Sequence, residues 1–362
     1  MKREYRIILE LCKFCSPDKE KIKSILSSPL DYPFVLGQLL YNRMGAVAYH
    51  TLEICGLMGG VNREFCNTLQ KVYEADAIKT EGFTQAVEMI SQVLGQADFP
   101  YALLKGAYLT SIYPKGLRTS NDIDILVGRG HISKLAGLLA GNGFMQGHLR
   151  NGKFIPAARL EIISSRMNRG ETVPFVKEVG LPGMKFCEVD INFSLDSVAY
   201  QEGNAISTML GDRSKLIYGR AYTLSKWDFM IHLCVHLFKE ATVINWVEMG
   251  RDLSLYKFCD LYLLIEKWMD EEFLKAVRHR IHNYELEREC YYALYLTREF
   301  FQVENSMLDT LLCDIQPSGT RYMREVVDVA TGKKYIHDQS FMEWLFCGRR
   351  REGLREITDG KD

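Results

Sequence analysis

The sequence predicts an α+β protein in which a small mixed β-sheet lies between two helical regions of the chain. Three observations indicate this. Apolar residues recur at helical spacing in the first part, the period shortens to that of strands at Tyr101, and helical spacing returns near Gly203. Strands grouped between runs of helices are typical of the α+β class. We therefore predict a helical lead-in over residues 1–98, a sheet-containing core over 99–200 and a C-terminal helical domain over 201–362.

The lead-in is predicted to be helical, with an interruption at "MGGVN". The segment "SPDKEKIKSIL" opens with Ser16, a residue type that caps helix N-termini, followed by the charged residues of a first turn. A later helix is predicted from Gly82 to Gln96, just before the pattern changes.

The core is predicted to hold two strand–helix units followed by a meander. The units are "YALLK" with "AYLTSIY", and "NDIDILV" with "ISKLAGLLAGNGF". An Asn-Gly turn between "FMQGHL" and "KFIPAARLEII" predicts a hairpin, and "GLPG" joins the runs "ETVPFVKEV" and "MKFCEVDINFSL". Helices then return in "SKWDFMIHLCVHLFKEA", "RDLSLYKFCDLYLLIEKW", "DEEFLKAVRHRIHNYE" and "LERECYYALYLTREFF".

Composition places the chain among ordinary globular proteins. It has 362 residues, 47% hydrophobic and 25% charged, which suffices for two or three packed units. The formal net charge of −1 gives no whole-chain reason to expect nucleic acid or a membrane as partner, although it does not exclude a local basic groove. Glu4, Arg6 and Glu10 interrupt the region where a signal peptide needs an apolar core, and no stretch is long enough to span a bilayer. We expect a cytoplasmic protein.

Two predicted strands carry carboxylates on one face. Side chains alternate between the faces of a strand, so Asp122 and Asp124 lie opposite the apolar residues of "NDIDILV". In "KFCEVDINFSL" the same alternation puts three polar residues on one face: Glu188, Asp190 and Asn192. If the two strands are neighbours, Asp122, Asp124 and Asp190 converge. Three such carboxylates are what two Mg²⁺ or Mn²⁺ ions need for an in-line phosphoryl displacement.

The alternative is that these aspartates lie on a hydrated strand edge and have no function, because D-x-D is a short motif that also occurs by chance. The residues upstream favour the metal site. "LLKGAYL" is a strand, then Lys-Gly, then a helix, which brings backbone N–H groups and the positive end of a helix dipole beside the D-x-D strand, ready for a triphosphate. Lys105 adds a charge for phosphate oxygens and Arg118 a planar fork, while Ser120 bonds a phosphate or orients Asp122.

The ordered set Lys-Gly, R-x-S-x-D-x-D and a distant strand aspartate resembles the core of the nucleotidyltransferase superfamily, which has the DNA-polymerase-β-like fold. Its pattern is h-G-[GS] at a helix start, D-h-[DE]-h on a strand and a third acidic strand residue. "LLKGAYLTSIYPKGLRTSNDIDILV" is similar to a bacterial group of uncharacterised nucleotidyltransferases and more distantly to AbiEii-type toxins. With the helical segments from "HLCVHLFKE" to "LLIEKW", the resemblance covers roughly residues 85 to 270.

This resemblance implies a Mg²⁺- or Mn²⁺-dependent enzyme that moves a nucleoside monophosphate from a nucleoside triphosphate to a hydroxyl or phosphate of an acceptor, releasing pyrophosphate. The metal ligands fall on Asp122, Asp124 and Asp190, and the phosphate-binding turn on Gly106. Ala107 stands where the common pattern has Ser, so the phosphate contact would come from Lys105, Ser120 or backbone N–H groups.

Two alternatives remain at this stage: a nucleotide-binding or scaffold protein that has lost catalysis, and a toxin-like enzyme that modifies tRNA ends. The presence of all three carboxylates speaks against the first. The near-neutral charge speaks mildly against the second and favours a small-molecule or peptide acceptor over nucleic acid.

Three further motifs are assigned no catalytic role. The "CKFC" at 12–15 is half a zinc motif without its partner, so the ten cysteines are expected to be reduced and mostly buried thiols. His232 and His236 share a helix face, but Leu233 stands where a zincin has Glu; we expect one histidine in the core and one lining the cleft. The three arginines 349–351 are expected on a solvated helix face rather than on a nucleic-acid arm.

Overall fold

A computed structural model describes residues 2–168, 170–195, 205–215 and 221–358 of the chain. The fold is mixed α+β, as predicted. By packing, the chain forms two compact units: Met1–Lys71 with Met230–Asp362, and Val72–Phe229. The boundaries predicted near residues 98 and 200 stay a prediction, and the second of them falls among residues 196–204, which lie outside the described part of the chain.

The first unit begins with four helices: α1 Arg3–Leu11, α2 Lys19–Leu26, α3 Tyr32–Tyr41 and α4 Gly45–Ile54. Asp18 caps α2 by accepting a hydrogen bond from the Lys21 N–H at 2.9 Å. Asp31 caps α3 in the same way, through the Phe34 N–H at 2.9 Å. The cap of α2 is therefore Asp18 and not the predicted Ser16. A carboxylate does this well because it also complements the positive end of the helix.

Helix α5, Arg63–Leu94, runs without a break through the position where the sequence predicts a helix start at Gly82. Gly82 is there for close packing and not for a turn: a Cβ on it would lie 2.0 Å from the carbonyl oxygen of Pro182. A glycine inside a helix costs about 1 kcal/mol relative to alanine. Because glycine has no Cβ, the turn at Pro182 can approach the backbone of α5 closely.

The second unit is built on a β-sheet of eight strands within the described parts of the chain, in the order β4-β3-β5-β6-β2-β1-β8-β7. These strands are β1 Tyr101–Leu103, β2 Asp122–Val127, β3 Met145–Arg150, β4 Lys153–Pro156, β5 Phe175–Leu181, β6 Met184–Asn192, β7 Ser214–Lys215 and β8 Tyr222–Thr223. The strands β2 and β6 are parallel neighbours, which confirms the predicted adjacency of "NDIDILV" and "KFCEVDINFSL". The predicted hairpin of β3 and β4 is also present.

Besides α5, the described residues of this unit form the helices α6 Gly106–Ile112, α7 Ile132–Gly141, α8 Arg159–Asn168 and α9 Ala205–Gly211. Helix α8 takes the second half of "KFIPAARLEII", which was predicted to continue the hairpin. Pro156 ends β4 because proline has no N–H for the ladder, and the residues that follow are good helix formers.

One face of the sheet packs on helices α5 and α7. The core there holds Phe83, Val87 and Ile90 of α5, Ile123, Ile125 and Val127 of β2, Leu135 and Leu139 of α7, and Val189 and Ile191 of β6. The apolar set predicted for β2 is therefore buried, because the strand period of two sends it to the helices. The aspartates of β2 alternate with this set and lie on the other face.

The first unit is completed by helices and a small sheet. The helices are α10 Lys226–Ala241, α11 Ile244–Glu248, α12 Leu255–Trp268, α13 Glu271–Tyr284, α14 Glu287–Phe301, α15 Ser306–Asp314 and α16 Phe341–Leu345. The strands are β9 Glu325–Val327, β10 Lys334–His337 and β11 Leu354–Glu356, antiparallel in the order β11-β10-β9. This sheet was not predicted. In the described part of the chain, no helix combines the length and hydropathy needed to cross a bilayer.

Arg350 is buried in the first unit, so the prediction of a solvated tail is wrong at this position. Its guanidinium forms an ion pair with Asp252, which is fully buried. It also donates to the carbonyl oxygens of Trp344 at 2.7 Å, Leu345 at 2.7 Å and Leu253 at 3.1 Å. The N–H groups of the guanidinium thus bind Asp252, Leu253, Trp344 and Leu345, which surround the buried positive charge of Arg350. Arg349 and Arg351 are exposed, as predicted.

Candidate active site

The parallel pairing of β2 and β6 aligns the polar residues of the two strands in rows. Asp122 lies opposite Glu188, Asp124 opposite Asp190, and Leu126 opposite Asn192. The three aspartates predicted to act together are therefore on adjacent strands in matching register.

Asp124 is the most firmly held of the three aspartates, and it is buried. The Lys105 ammonium lies 3.2 Å from its Oδ1 and 3.2 Å from its Oδ2. From the other side, the Asn192 amide donates to Oδ1 at 3.0 Å. The carboxylate is thus oriented from two directions by a positive charge and by a neutral donor.

Asp122 is oriented by its own loop. The Ser120 hydroxyl donates to Asp122 Oδ1 at 3.2 Å and lies 3.3 Å from the Asp122 carbonyl oxygen. Burial and the charge of Asp124 raise the pKa of Asp122, while Lys105 and the Ser120 hydroxyl act against that rise. Of the two roles proposed for Ser120, the structure displays the orientation of Asp122.

Asp190 has the more strongly perturbed carboxyl group. Burial raises its pKa well above the ordinary value, and the nearby charges of Asp124, Asp122, Glu171 and Glu188 act in the same direction. Burial followed by the charge of Asp122 also raises the pKa of Glu188. This face of the sheet therefore concentrates negative charge beyond what one lysine compensates.

The raised pKa of Asp190 predicts how stability depends on pH. A carboxyl whose folded-state pKa exceeds its unfolded value of about 3.9 favours folding when protonated, so stability falls as pH rises above that value. Replacing Asp190 with Asn should raise the thermal unfolding midpoint of metal-free protein at pH 7. The substitution should not raise the midpoint below about pH 3.5, where Asp190 is protonated in both the folded and the unfolded protein.

Scanning calorimetry at the two pH values checks this, with Asp98→Asn as the control. Asp98 is an exposed carboxylate whose pKa is lowered by a hydrogen bond from Lys134, so its replacement should not raise the midpoint. An Asp190→Asn midpoint equal to that of the parent at pH 7 would show that the cluster imposes no penalty.

The Lys-Gly turn connects β1 to α6 with little room. Lys105 adopts φ 39° and ψ −112°, in the positive-φ region that favours glycine. A Cβ on Gly106 would lie 2.5 Å from both Cβ and Oγ of Ser120. Glycine at 106 therefore lets the helix start touch the loop that orients Asp122.

Arg118 lies on the same loop, before β2. Its guanidinium donates to the Thr119 carbonyl oxygen, and its own carbonyl oxygen accepts from the Thr80 hydroxyl at 3.4 Å. These bonds shape the loop. Its predicted role in binding nucleotide stays a prediction.

Two features of the site were not anticipated. The alternation of β6 put Asn192 on the polar face, but only the strand register shows that its amide bonds Asp124. Lys105 was expected to face phosphate, and here it pairs with a carboxylate.

The donor set fits hard divalent cations in its chemistry. Asp122, Asp124 and Asp190 offer oxygen ligands, which Mg²⁺ and Mn²⁺ prefer. In residues 2–168, 170–195, 205–215 and 221–358, no three acidic, histidine or cysteine side chains already converge to hold one ion. Asp122 and Asp124 share one face of β2 and Asp190 lies opposite Asp124, so a cation would offset the repulsion among the three carboxylates, and the Lys105 ammonium supplies part of that charge. The residues therefore suit such an ion, with Lys105 as a stand-in cation.

The other predicted candidates belong to the first compact unit. His232 is buried on α10, and His236 Nε2 lies 3.5 Å from Glu240 Oε1. The expectation that one of these histidines lines a cleft stays a prediction. In the "CKFC" segment Cys12 is buried and Cys15 is exposed; both are free thiols.

Comparison with known families identifies a family for this chain. The model of a family described as "Uncharacterised nucleotidyltransferase" matches residues 29–302, most of the chain. The chain belongs to this family. No curated protein matches it significantly.

Proposed function

We propose that this family member is a metal-dependent nucleotidyltransferase, which moves a nucleoside monophosphate from a nucleoside triphosphate to a hydroxyl or phosphate of an acceptor and releases pyrophosphate. The observation that carries the proposal is the register that sets Asp124 directly opposite Asp190, with Asp122 two residues away on the same face. Membership of a nucleotidyltransferase family supports the general reaction.

Each residue has a role in this proposal. Asp122 and Asp124 would hold one Mg²⁺ or Mn²⁺, and Asp190 would join them in holding a second. Such ions, when bound, neutralise phosphate charge and lower the pKa of an acceptor hydroxyl. Asp190 would accept the proton of that hydroxyl, because it lies directly opposite Asp124 on the adjacent strand.

Lys105 and the turn at Gly106 bind the triphosphate. Ser120 and Asn192 are positioning residues, since the first orients Asp122 and the second Asp124. Arg118 supplies a further positive charge on the loop. The acceptor is a small molecule or a peptide rather than nucleic acid, which is supported by the near-neutral net charge of −1.

The role of Lys105 predicts a binding defect. Lys105→Ala should weaken triphosphate binding by about 1.5–3 kcal/mol, or about 10- to 150-fold, because a charge-assisted bond is lost. Binding of a nucleoside without phosphates should change little. Lys115→Ala is the matched control, since Lys115 is exposed and pairs with Glu81 at 3.4 Å. Calorimetry with both ligands gives the answer; an unchanged triphosphate affinity would make Lys105 structural.

The reaction itself is tested with each α-labelled nucleoside triphosphate, Mg²⁺ and a cell extract separated into small-molecule, protein and RNA fractions. Mass analysis identifies what gains a nucleotide. We expect transfer by the parent, in the small-molecule or protein fraction, and none by Asp124→Asn. Labelling of tRNA ends alone would favour the toxin-like reading. Absence of both transfer and pyrophosphate release would favour a nucleotide-binding protein without catalysis.

A further inference from the structure

We infer that Lys105 is a resident counter-ion of Asp124, which must leave that carboxylate before a metal ion can use it. Release of Lys105 to the triphosphate then couples the binding of metal ion and nucleotide. This inference rests on the proposed function, because it assigns Lys105 two successive partners in that site. It predicts that the nucleotide-free protein binds a divalent cation weakly, and that Lys105 is the cause.

The first argument is geometric. Lys105 Nζ is 3.2 Å from both oxygens of Asp124, and the Asn192 amide takes a further position on Oδ1 at 3.0 Å. A carboxylate has about four lone-pair sites. At least three of the four are therefore directed at protein donors, and an incoming cation meets an ammonium group already in contact with both oxygens.

The second argument is electrostatic. The side chain of Lys105 is 21% exposed and that of Asp124 is 7% exposed, so water screens their attraction only weakly. For the same reason a divalent cation next to the ammonium would be repelled. Departure of the ammonium alone would leave the Asp124 carboxylate beside Asp122, two residues away on the same strand face, and Asp190, directly opposite on β6. Replacement of the ammonium by a metal ion in one exchange would avoid both the repulsion between two cations and the loss of positive charge beside the carboxylates.

The third argument is the backbone of Lys105. Its φ of 39° is one that non-glycine residues adopt at an energetic cost, and Gly106 directly follows it. Strained residues of this kind persist where the surroundings fix them, and they cluster at ligand clamps and switches. The turn holds Lys105 so that its ammonium reaches Asp124. A triphosphate bound at that turn would present phosphate oxygens to the Lys105 ammonium. These oxygens carry more negative charge than the Asp124 carboxylate.

The test measures Mn²⁺ alone on nucleotide-free protein, by calorimetry and by the electron paramagnetic resonance signal of free Mn²⁺. Lys105→Met keeps the length of the side chain and removes its charge. We expect it to bind Mn²⁺ at least tenfold more tightly than the parent, and Lys115→Met to bind as the parent does. Lys105→Gly is the second variant, because glycine suits a φ of 39° and safeguards folding. It should show the same gain.

The outcomes separate this inference from the function on which it rests. Equal Mn²⁺ affinity in the parent, Lys105→Met and Lys105→Gly would overturn the counter-ion role, while nucleotidyl transfer by the parent would still stand. Mn²⁺ binding that is the same in Asp124→Asn as in the parent and in Lys105→Met would overturn the metal site and with it both proposals. A gain in Lys105→Met that disappears in Lys105→Met/Asp124→Asn supports the inference.

Discussion

Asp124→Asn is expected to reduce nucleotidyl transfer by at least about 100-fold, since even residues that merely support metal ligands cost 10- to 100-fold when replaced. The asparagine has a similar shape and still accepts the Asn192 amide, which donates to Asp124 at 3.0 Å. It lacks the charge that pairs with Lys105 and that the proposed mechanism assigns to a divalent cation. The loss should therefore appear in kcat and in metal affinity together.

The control for this variant is Asp98→Asn. Asp98 belongs to the same unit, is exposed and pairs with Lys134 at 3.1 Å, so the change removes a carboxylate without touching the site. Its activity should equal that of the parent. Thermal unfolding of both variants distinguishes loss of chemistry from loss of fold. An Asp124→Asn protein with full activity would refute the proposed mechanism.

Arg350→Ala is expected to lower the free energy of unfolding by about 3–5 kcal/mol, the usual cost of leaving one member of a buried ion pair alone. Asp252 is fully buried and would lose the guanidinium that neutralises it. Three backbone carbonyl oxygens would lose their donor as well.

The adjacent arginine supplies a matched control. Arg351 is exposed and pairs with Glu248 at 3.2 Å, so Arg351→Ala should cost less than about 1 kcal/mol. Denaturant unfolding of the two variants, with the same slope for each, measures the difference. Equal losses in the two would mean that the buried pair contributes no more than a surface pair.

Local patterns explain why much of the fold was predictable. The alternation in "NDIDILV" and the Asn-Gly turn after β3 act over a few residues, so strands β2 to β6 follow from sequence alone. Strands β9 to β11 have three or four residues each, too few to show a period. The unbroken helix at Gly82 depends on the approach of Pro182, which lies a hundred positions away.

The site was predictable to the extent that strand alternation places side chains. That rule put Asp122, Asp124 and Asp190 on one side, and the register of β2 with β6 agrees. The alternation rule does not show which side chains bond to one another. The bond from Asn192 to Asp124 needs the register of two strands, and the pairing of Lys105 needs a positive φ that a lysine rarely adopts. Burial of Arg350 likewise requires Asp252, which no local pattern brings to it.

The discontinuity of the first unit affects the order in which the protein can fold during synthesis. Helix α1 packs on α2, α3 and α4, which follow it directly, but one of its partners is made late: the Tyr5 ring stacks on Phe346 with 4.4 Å between centroids. The second unit, Val72–Phe229, is continuous and leaves the ribosome complete. Domains fold as units while translation proceeds. The nascent chain should therefore be able to form its second unit first, while the Tyr5 ring of α1 waits for Phe346, which is synthesised after that unit.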